Sequence, residues 1–398
     1  MKRIFASLFF ATATAQIGLG IISPILPLYA RTFAASGFQI GLVFAAFSVS
    51  RAVLGPVVGR LSDRIGRKPI IVAGLALYAI VSALYAFSTA LWQLGIFRLV
   101  QGIASVMVTP IAQAYVGDLT RTGAEGRTLN AFYASQFVGM ALGPILGGGI
   151  GAAWSYDAAF FVMGGLTVLS LLLVQLTVPT DETAKNRGKP RERKILPIRN
   201  VLASDAVKAM FAYFATRGFW RQAFSTFYPL YAVAALAASE ADIGIVLSAY
   251  MFAEGLLQIP FGYLADRYPR VRQIVVGSVF APLVLLAVPL VSSTWAAALL
   301  TVAMGAFSAL GRASLVAIRT ELGRTHGMAT LAGVQGSAFA VGQMLGPLVS
   351  GAVVDAVGVS YVFPFGSLVG CIGTVLVVVW IRRWIRRDVR AAAMTKSA

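Results

Sequence analysis

The chain has 398 residues, 58% of them hydrophobic and 12% charged, with a mean hydropathy of +0.80. An ordinary soluble domain carries roughly twice that share of charges, so a soluble fold is excluded and a membrane is the expected solvent. A net charge of +18 would point to nucleic acid in a soluble protein, but here the basic residues lie in short segments between long apolar runs, which excludes that reading and places them beside a bilayer.

In chain order, apolar runs of spanning length fall at about residues 4–29, 39–61, 70–88, 92–116, 129–152 and 158–178, and again at 206–237, 242–264, 273–292, 295–318, 329–354 and 360–381. The expected fold is all-α and integral to the membrane, with twelve helices in two groups of six. An N-terminal bundle covers 1–178, a basic cytoplasmic linker 179–205, and a C-terminal bundle with a basic tail 206–398. The linker carries seven Lys and Arg residues together with Pro179, Pro190 and Pro197. With the runs so placed, 26 of the 33 basic residues fall on one side, in the two termini and every second connection, while Arg31 alone falls in a connection on the other. The positive-inside rule then puts both termini in the cytoplasm of a plasma (inner) membrane protein. Cys371 is the single cysteine and lies in an apolar run, which excludes an internal disulfide. No metal-ligand cluster, nucleophile with a base, or phosphate loop is legible, so no cofactor and no enzyme chemistry is expected.

Between the second and third runs stands Gly59-Arg60-Leu61-Ser62-Asp63-Arg64-Ile65-Gly66-Arg67-Lys68. It reads as a short charged turn at the cytoplasmic face, its glycines letting helix ends approach and Asp63 free to accept hydrogen bonds or cap a helix. One gapless offset of 203 residues aligns the two halves: Gly59, Leu61, Asp63 and Arg64 fall on Gly262, Leu264, Asp266 and Arg267. The same offset sets Gly102 and Ser105 on Gly305 and Ser308, and Gly139, Gly143, Pro144 and Gly148 on Gly342, Gly346, Pro347 and Gly351. Asp118 and Arg121 fall on Glu321 and Arg324. The halves are therefore parallel repeats about an axis along the membrane normal. The second turn is degraded to Arg267-Tyr268-Pro269-Arg270, so the first copy is expected to carry more of the conformational coupling.

These motifs resemble those of the major facilitator superfamily, whose signature Gly-x-Leu-x-Asp-Arg-x-Gly-Arg-Lys matches residues 59–68. The resemblance covers essentially the whole chain. It implies two six-helix bundles around a midplane cavity that opens alternately to either side, a small-molecule substrate, and a monomer in the bilayer without nucleic acid. Gating is implied for Gly59, Asp63, Arg64, Gly66, Arg67, Asp118 and Arg121, with Asp266 and Arg267 from the second copy. On the fourth helix, Arg98-Leu99-Val100-Gln101-Gly102 looks like a motif associated in drug exporters with proton transfer, and the structural alternative for Arg98 is a bond to helix-end carbonyls. On the fifth, Gly139, Gly143, Pro144 and Gly147 resemble the mark of drug:proton antiporters, repeated on the eleventh by Gly346 and Pro347. Small residues at such spacing pack helices closely and a proline permits a bend, so a hinge or plain helix packing is expected there.

Glu254, near the middle of the eighth helix, is the one acidic residue deep in the expected bilayer and the candidate proton carrier. Burial of a carboxyl favours its proton and a nearby arginine opposes it, so an arginine that moves with the bundles would couple rocking to protonation. Its candidate partners are Arg217 and Arg221, at i and i+4 on the seventh helix, and Arg51, at the offset position on the second. A static ion pair is the alternative. Arg217, Arg221, Gln16, Thr14 and Tyr228 are candidates for the substrate cavity, while Arg312 is read as serving an inner vestibule or snorkelling. The reading is a proton-coupled exporter of amphipathic drugs. The arginine surplus leaves open an exporter or flippase of an anionic solute or lipid-linked head group, and a membrane sensor is the reading outside transport.

Overall fold

A computed structural model describes residues 2–120, 125–179, 204–326 and 328–397. Arg121 and linker residues 180–203 lie outside the described residues. Among the described residues there are twelve long helices, α1 (Lys2–Thr32), α2 (Gly37–Ile65), α3 (Arg67–Ala86), α4 (Leu91–Leu119), α5 (Glu125–Ala153) and α6 (Tyr156–Thr177), then α7 (Asp205–Leu236), α8 (Glu240–Arg267), α9 (Arg270–Ala287), α10 (Thr294–His326), α11 (Met328–Val357) and α12 (Val362–Ser397). Eleven of them are long and apolar enough to cross a membrane. The exception, α7, holds Thr216, Arg217, Arg221, Gln222, Ser225 and Thr226 along its middle, and most of its length is buried by its neighbours.

The helices run past the apolar segments that announced them. At about 1.5 Å per residue the 29-residue α2 is near 43 Å long, well beyond a hydrocarbon core of about 30 Å. In consequence the charged turn shrinks to one residue: Gly59 to Ile65 are helical, Gly66 closes α2 at φ 101°, and Arg67 opens α3. A left-handed φ of that size is where glycine is needed. The second copy breaks instead at Tyr268-Pro269.

Helices α1–α6 pack among themselves, as do α7–α12, and the two groups meet along α2 with α11, α5 with α8, and α1 with α7. Alternating direction places both termini at one end of the molecule, the termini end, opposite a far end made by the α1–α2, α3–α4, α5–α6, α7–α8, α9–α10 and α11–α12 connections. The buried core is divided accordingly. One apolar cluster fuses both groups in the far half, with Ile21, Ile40 and Phe44 against Phe227, Tyr231, Val246 and Phe363. The two clusters of the termini half are each confined to one group, around Leu8, Ile71 and Tyr115 in the first and Met210, Ile318 and Leu331 in the second. Among the described residues, the buried apolar core seals the two groups together in the far half and stays separate in the termini half.

Helix approach along the seal is so close that only glycine fits, and it follows the repeat. A Cβ on Gly41 would lie 2.2 Å from the carbonyl oxygen of Pro347, and one on Gly244 would lie 2.3 Å from that of Pro144. The pair Gly351 with Gly37 and the pair Gly148 with Glu240 meet in the same way. Each partner is displaced from its counterpart by the 203-residue offset, so the far-end seal has the pseudo-two-fold symmetry of the sequence.

Candidate functional site: a buried carboxylate among three arginines

Glu254 is the fifteenth residue of the 28-residue α8, hence at mid-depth, and is 4% exposed. Arg217 and Arg221 project from one face of α7, one turn apart, and Arg312 comes from α10. Arg217 Nη2 donates to Glu254 Oε1, to which Arg312 Nη1 also donates at 3.4 Å, while Arg221 Nε stands 3.7 Å from Oε2. Arg217 Nε donates to Ser308 Oγ at 3.0 Å, which fixes the fork. Aromatic faces complete the cage: Arg217 lies over Phe339, Arg221 over Tyr250, and Arg312 over Phe137 with its guanidinium carbon 5.4 Å from the ring centre. Phe137 belongs to α5, in the other group of helices, so the cluster touches the boundary between bundles. Three guanidiniums on one carboxylate leave a surplus of positive charge at a depth where an unpaired charge is costly.

Arg312, read from sequence as a vestibule or snorkelling residue, is thus a partner of Glu254. The signal that was available is its spacing of four from Ser308, which puts both on one face of α10. Arg51 is not among the groups bonded to Glu254; its guanidinium lies 5.3 Å from the ring centre of Phe47 on its own helix.

Arg98 belongs to a second polar core, inside the first bundle. It is 5% exposed, donates from Nη1 to Gln101 Oε1 at 3.1 Å, and lies over the rings of Phe44 and Phe47. Gln101 also accepts from the Tyr85 hydroxyl at 3.2 Å and donates to that of Tyr78 at 3.1 Å. The helix-end carbonyl expected as its structural partner is replaced by a side-chain amide.

The other cavity candidates are dispersed. Gln16 reaches Gln136 on α5 at 3.5 Å, Thr14 bonds Ser170 on α6, and Tyr228 is fully buried among Phe224 and Tyr231 in the far-half core. Gly139, Gly143 and Gly147 receive the backbone of α1, and Gly346 that of α7, while the carbonyls of Pro144 and Pro347 meet the opposite bundle. At the termini end, Arg67 joins Asp63 at 2.7 Å and Asp118 at 3.3 Å, and Arg270 joins Asp266 at 3.8 Å and Glu321 at 2.8 Å. The degraded second copy therefore keeps the same triangle of charges. Arg270 stands where the offset puts Arg67, although the intervening residues differ. Space beside Gly59 and Gly262 is open, with nothing within 4 Å of a Cβ built on either.

A helical membrane protein with duplicated bundles, sealed at one end and carrying ionised groups at mid-depth, has the architecture of a secondary transporter. The major facilitator superfamily model matches residues 8–234 and 209–394, and the chain belongs to that superfamily. It is accordingly an integral membrane transporter and not an enzyme. It is 26% identical over 368 residues to the quinolone resistance protein NorA of Staphylococcus aureus, covering 89% of this chain and 90% of that one. An uncharacterized MFS-type transporter of Methanocaldococcus jannaschii is 25% identical over 370 residues, covering 92% of this chain and 95% of that protein. Among solved structures, a bacterial homologue of the human lysosomal transporter Spinster, inward-facing and occupied, superposes with a TM-score of 0.83 at 15% identity, covering 96% and 97% of the two chains. The nucleoside transporter NupG gives 0.78 and 0.77 in its two forms at 15% identity, covering 95% of this chain and 99% and 98% of those chains.

Proposed function

We propose that this transporter exports small amphipathic compounds by alternating access, driven by protons that enter through Glu254. One observation carries the reading: Glu254 is a buried carboxylate at mid-depth whose partner Arg312 also rests on Phe137 of the opposite bundle. Rocking the bundles about this point shifts Arg312, and with it the balance between a charged and a protonated Glu254. The excess of basic residues at the termini end makes that end cytoplasmic and the present form inward-open. The names of two relatives, quinolone resistance protein NorA and multidrug resistance protein 2 of Bacillus subtilis, accord with drug export.

A second reading follows from the charge surplus of the cluster, which suits an anionic substrate head group. The two readings differ in sign. A cation and a proton oppose each other at one carboxylate and so exchange, whereas an anion held by the arginines and a proton on Glu254 favour each other and travel together. Proteoliposomes with an imposed pH gradient, loaded in turn with a cationic and an anionic amphiphile of similar size, separate them. Proton release coupled to movement of the cation, abolished in Glu254→Gln while proton-independent exchange of substrate for substrate is retained, is the expected result. Movement of the anion alone, with protons in the same direction, replaces the drug-export reading with the anionic one.

A further inference from the structure

The first backbone N–H groups of a helix have no partner within it and must find one elsewhere. At the start of α2, two are satisfied locally: Gln39 N–H donates to Ser36 Oγ at 3.3 Å and Ser36 N–H to Gln39 Oε1 at 2.9 Å, a capping box. The other two are satisfied by the opposite bundle. Gly37 N–H donates to Asp355 Oδ1 at 2.6 Å and Phe38 N–H to Asp355 Oδ2 at 2.8 Å, so one carboxylate at the end of α11 caps α2 with both oxygens. Such bonds combine charge assistance with the positive end of the helix dipole. They can exist only while the far end is sealed.

The repeat provides an internal control. The start of α8 is the counterpart of the start of α2, and it too has a local box, between Ser239 and Asp242. The position equivalent to Asp355, however, is Ala152, and there the seam is held by the Tyr156 hydroxyl donating to Glu240 Oε1 at 2.9 Å. Further along lie Ser23 with Ser225, at 2.6 Å between hydroxyl oxygens, and Ser248 Oγ accepting from Ile145 N–H at 3.1 Å. Of these ties, the one made by Asp355 alone sets a full charge on a helix terminus.

We infer that Asp355 is a positioning residue for transport: it latches the far end shut by capping α2 across the bundle boundary, and its release is required for the outward-open state. The inference rests on the alternating-access reading, and its test is independent of substrate and proton. A reporter is made by Ser23→Cys in a Cys371→Ser background, since Ser23 lies on the seam between α1 and α7 and away from the latch. Right-side-out vesicles are treated with a membrane-impermeant maleimide. Two charge-assisted bonds lost from the sealed state shift its population enough for Asp355→Ala to raise the labelling rate about tenfold or more. Asp355→Asn keeps one acceptor and the side chain's size, and is expected to label at an intermediate rate. Asp157→Ala removes another exposed far-end carboxylate and should leave the parental rate. Labelling of both Asp355 variants at the parental rate overturns the latch. Should Asp355→Ala give unfolded protein, Asp355→Asn alone decides. The complementary pair Ser23→Cys with Ser225→Cys should form its disulfide more slowly in the Asp355→Asn chain, and an unchanged rate counts against the latch. Expected labelling in a protein that moves no amphiphile supports the latch while removing the export reading, so the two failures are distinct.

Discussion

At mid-depth the second bundle holds one carboxylate among three guanidiniums, whereas the first, nearer the far end, holds Arg98 on an amide and two phenylalanine faces. The scaffold around the two centres is the same to within the 203-residue offset. Gly102 receives the backbone of Phe47 on α2, and its counterpart Gly305 receives that of Tyr250 on α8, itself the counterpart of Phe47. Yet the charges do not correspond. Glu254, Arg217, Arg221 and Arg312 stand where the first bundle has Arg51, Thr14, Gly18 and Thr109, while Arg98 and Gln101 stand where the second has Thr301 and Met304. Duplication preserved the close packing, which tolerates little change, and left the polar interior free to diverge. Among the described residues, the second bundle has a buried ion pair, and the first has a cation hydrogen-bonded to an amide with no carboxylate paired to it.

Breaking the comparison at its strongest point means removing Glu254. In Glu254→Leu the buried Arg217 and the partly buried Arg221 and Arg312 lose their counter-charge, a loss of about 3–5 kcal/mol, read as a large fall in the midpoint of thermal unfolding in detergent. Arg98→Met removes a cation that has only an amide and aromatic faces, and about 1–2 kcal/mol is expected by the same assay. A fall as large as that of Glu254→Leu would show that the two centres are energetically alike. The seal sharpens the comparison from the other side, since it is the symmetric part. Gly41→Ala and Gly244→Ala should each raise far-end labelling severalfold and to similar extents, because each Cβ meets a proline carbonyl at nearly the same distance. Gly59→Ala, which meets open space here, should leave this state unaffected. Unequal effects of Gly41→Ala and Gly244→Ala would break the symmetry. The smallest changes are expected at the termini-end triangles. Arg67→Ala and Arg270→Ala lose pairs with exposed carboxylates, about 0.2–1 kcal/mol each, measured in the same unfolding assay.

Several of these features are legible in the sequence. The glycines and prolines of the repeat are visible at a fixed spacing, and Glu254 stands out because a carboxylate in an apolar run is rare. Arg217 and Arg221 follow from helical periodicity. Arg312 was misplaced since depth counted along a helix does not say which way a long side chain turns. The charged turn was overdrawn because hydropathy marks where a helix leaves the hydrocarbon and not where its hydrogen bonds stop. Asp355 had no signal at all: its partners are backbone N–H groups, which every residue but proline possesses.

By itself, then, the sequence determined the membrane, the twelve-helix duplication and the residues too costly to bury idly, because hydropathy, period and desolvation are properties of a chain segment and its solvent. The tertiary structure decided which arginines reach Glu254, that Arg98 rests on Gln101, and which end of the molecule is sealed. Those depend on separations between helices distant in sequence, where a few ångströms decide whether a charge is paired and whether a glycine is in contact or faces open space.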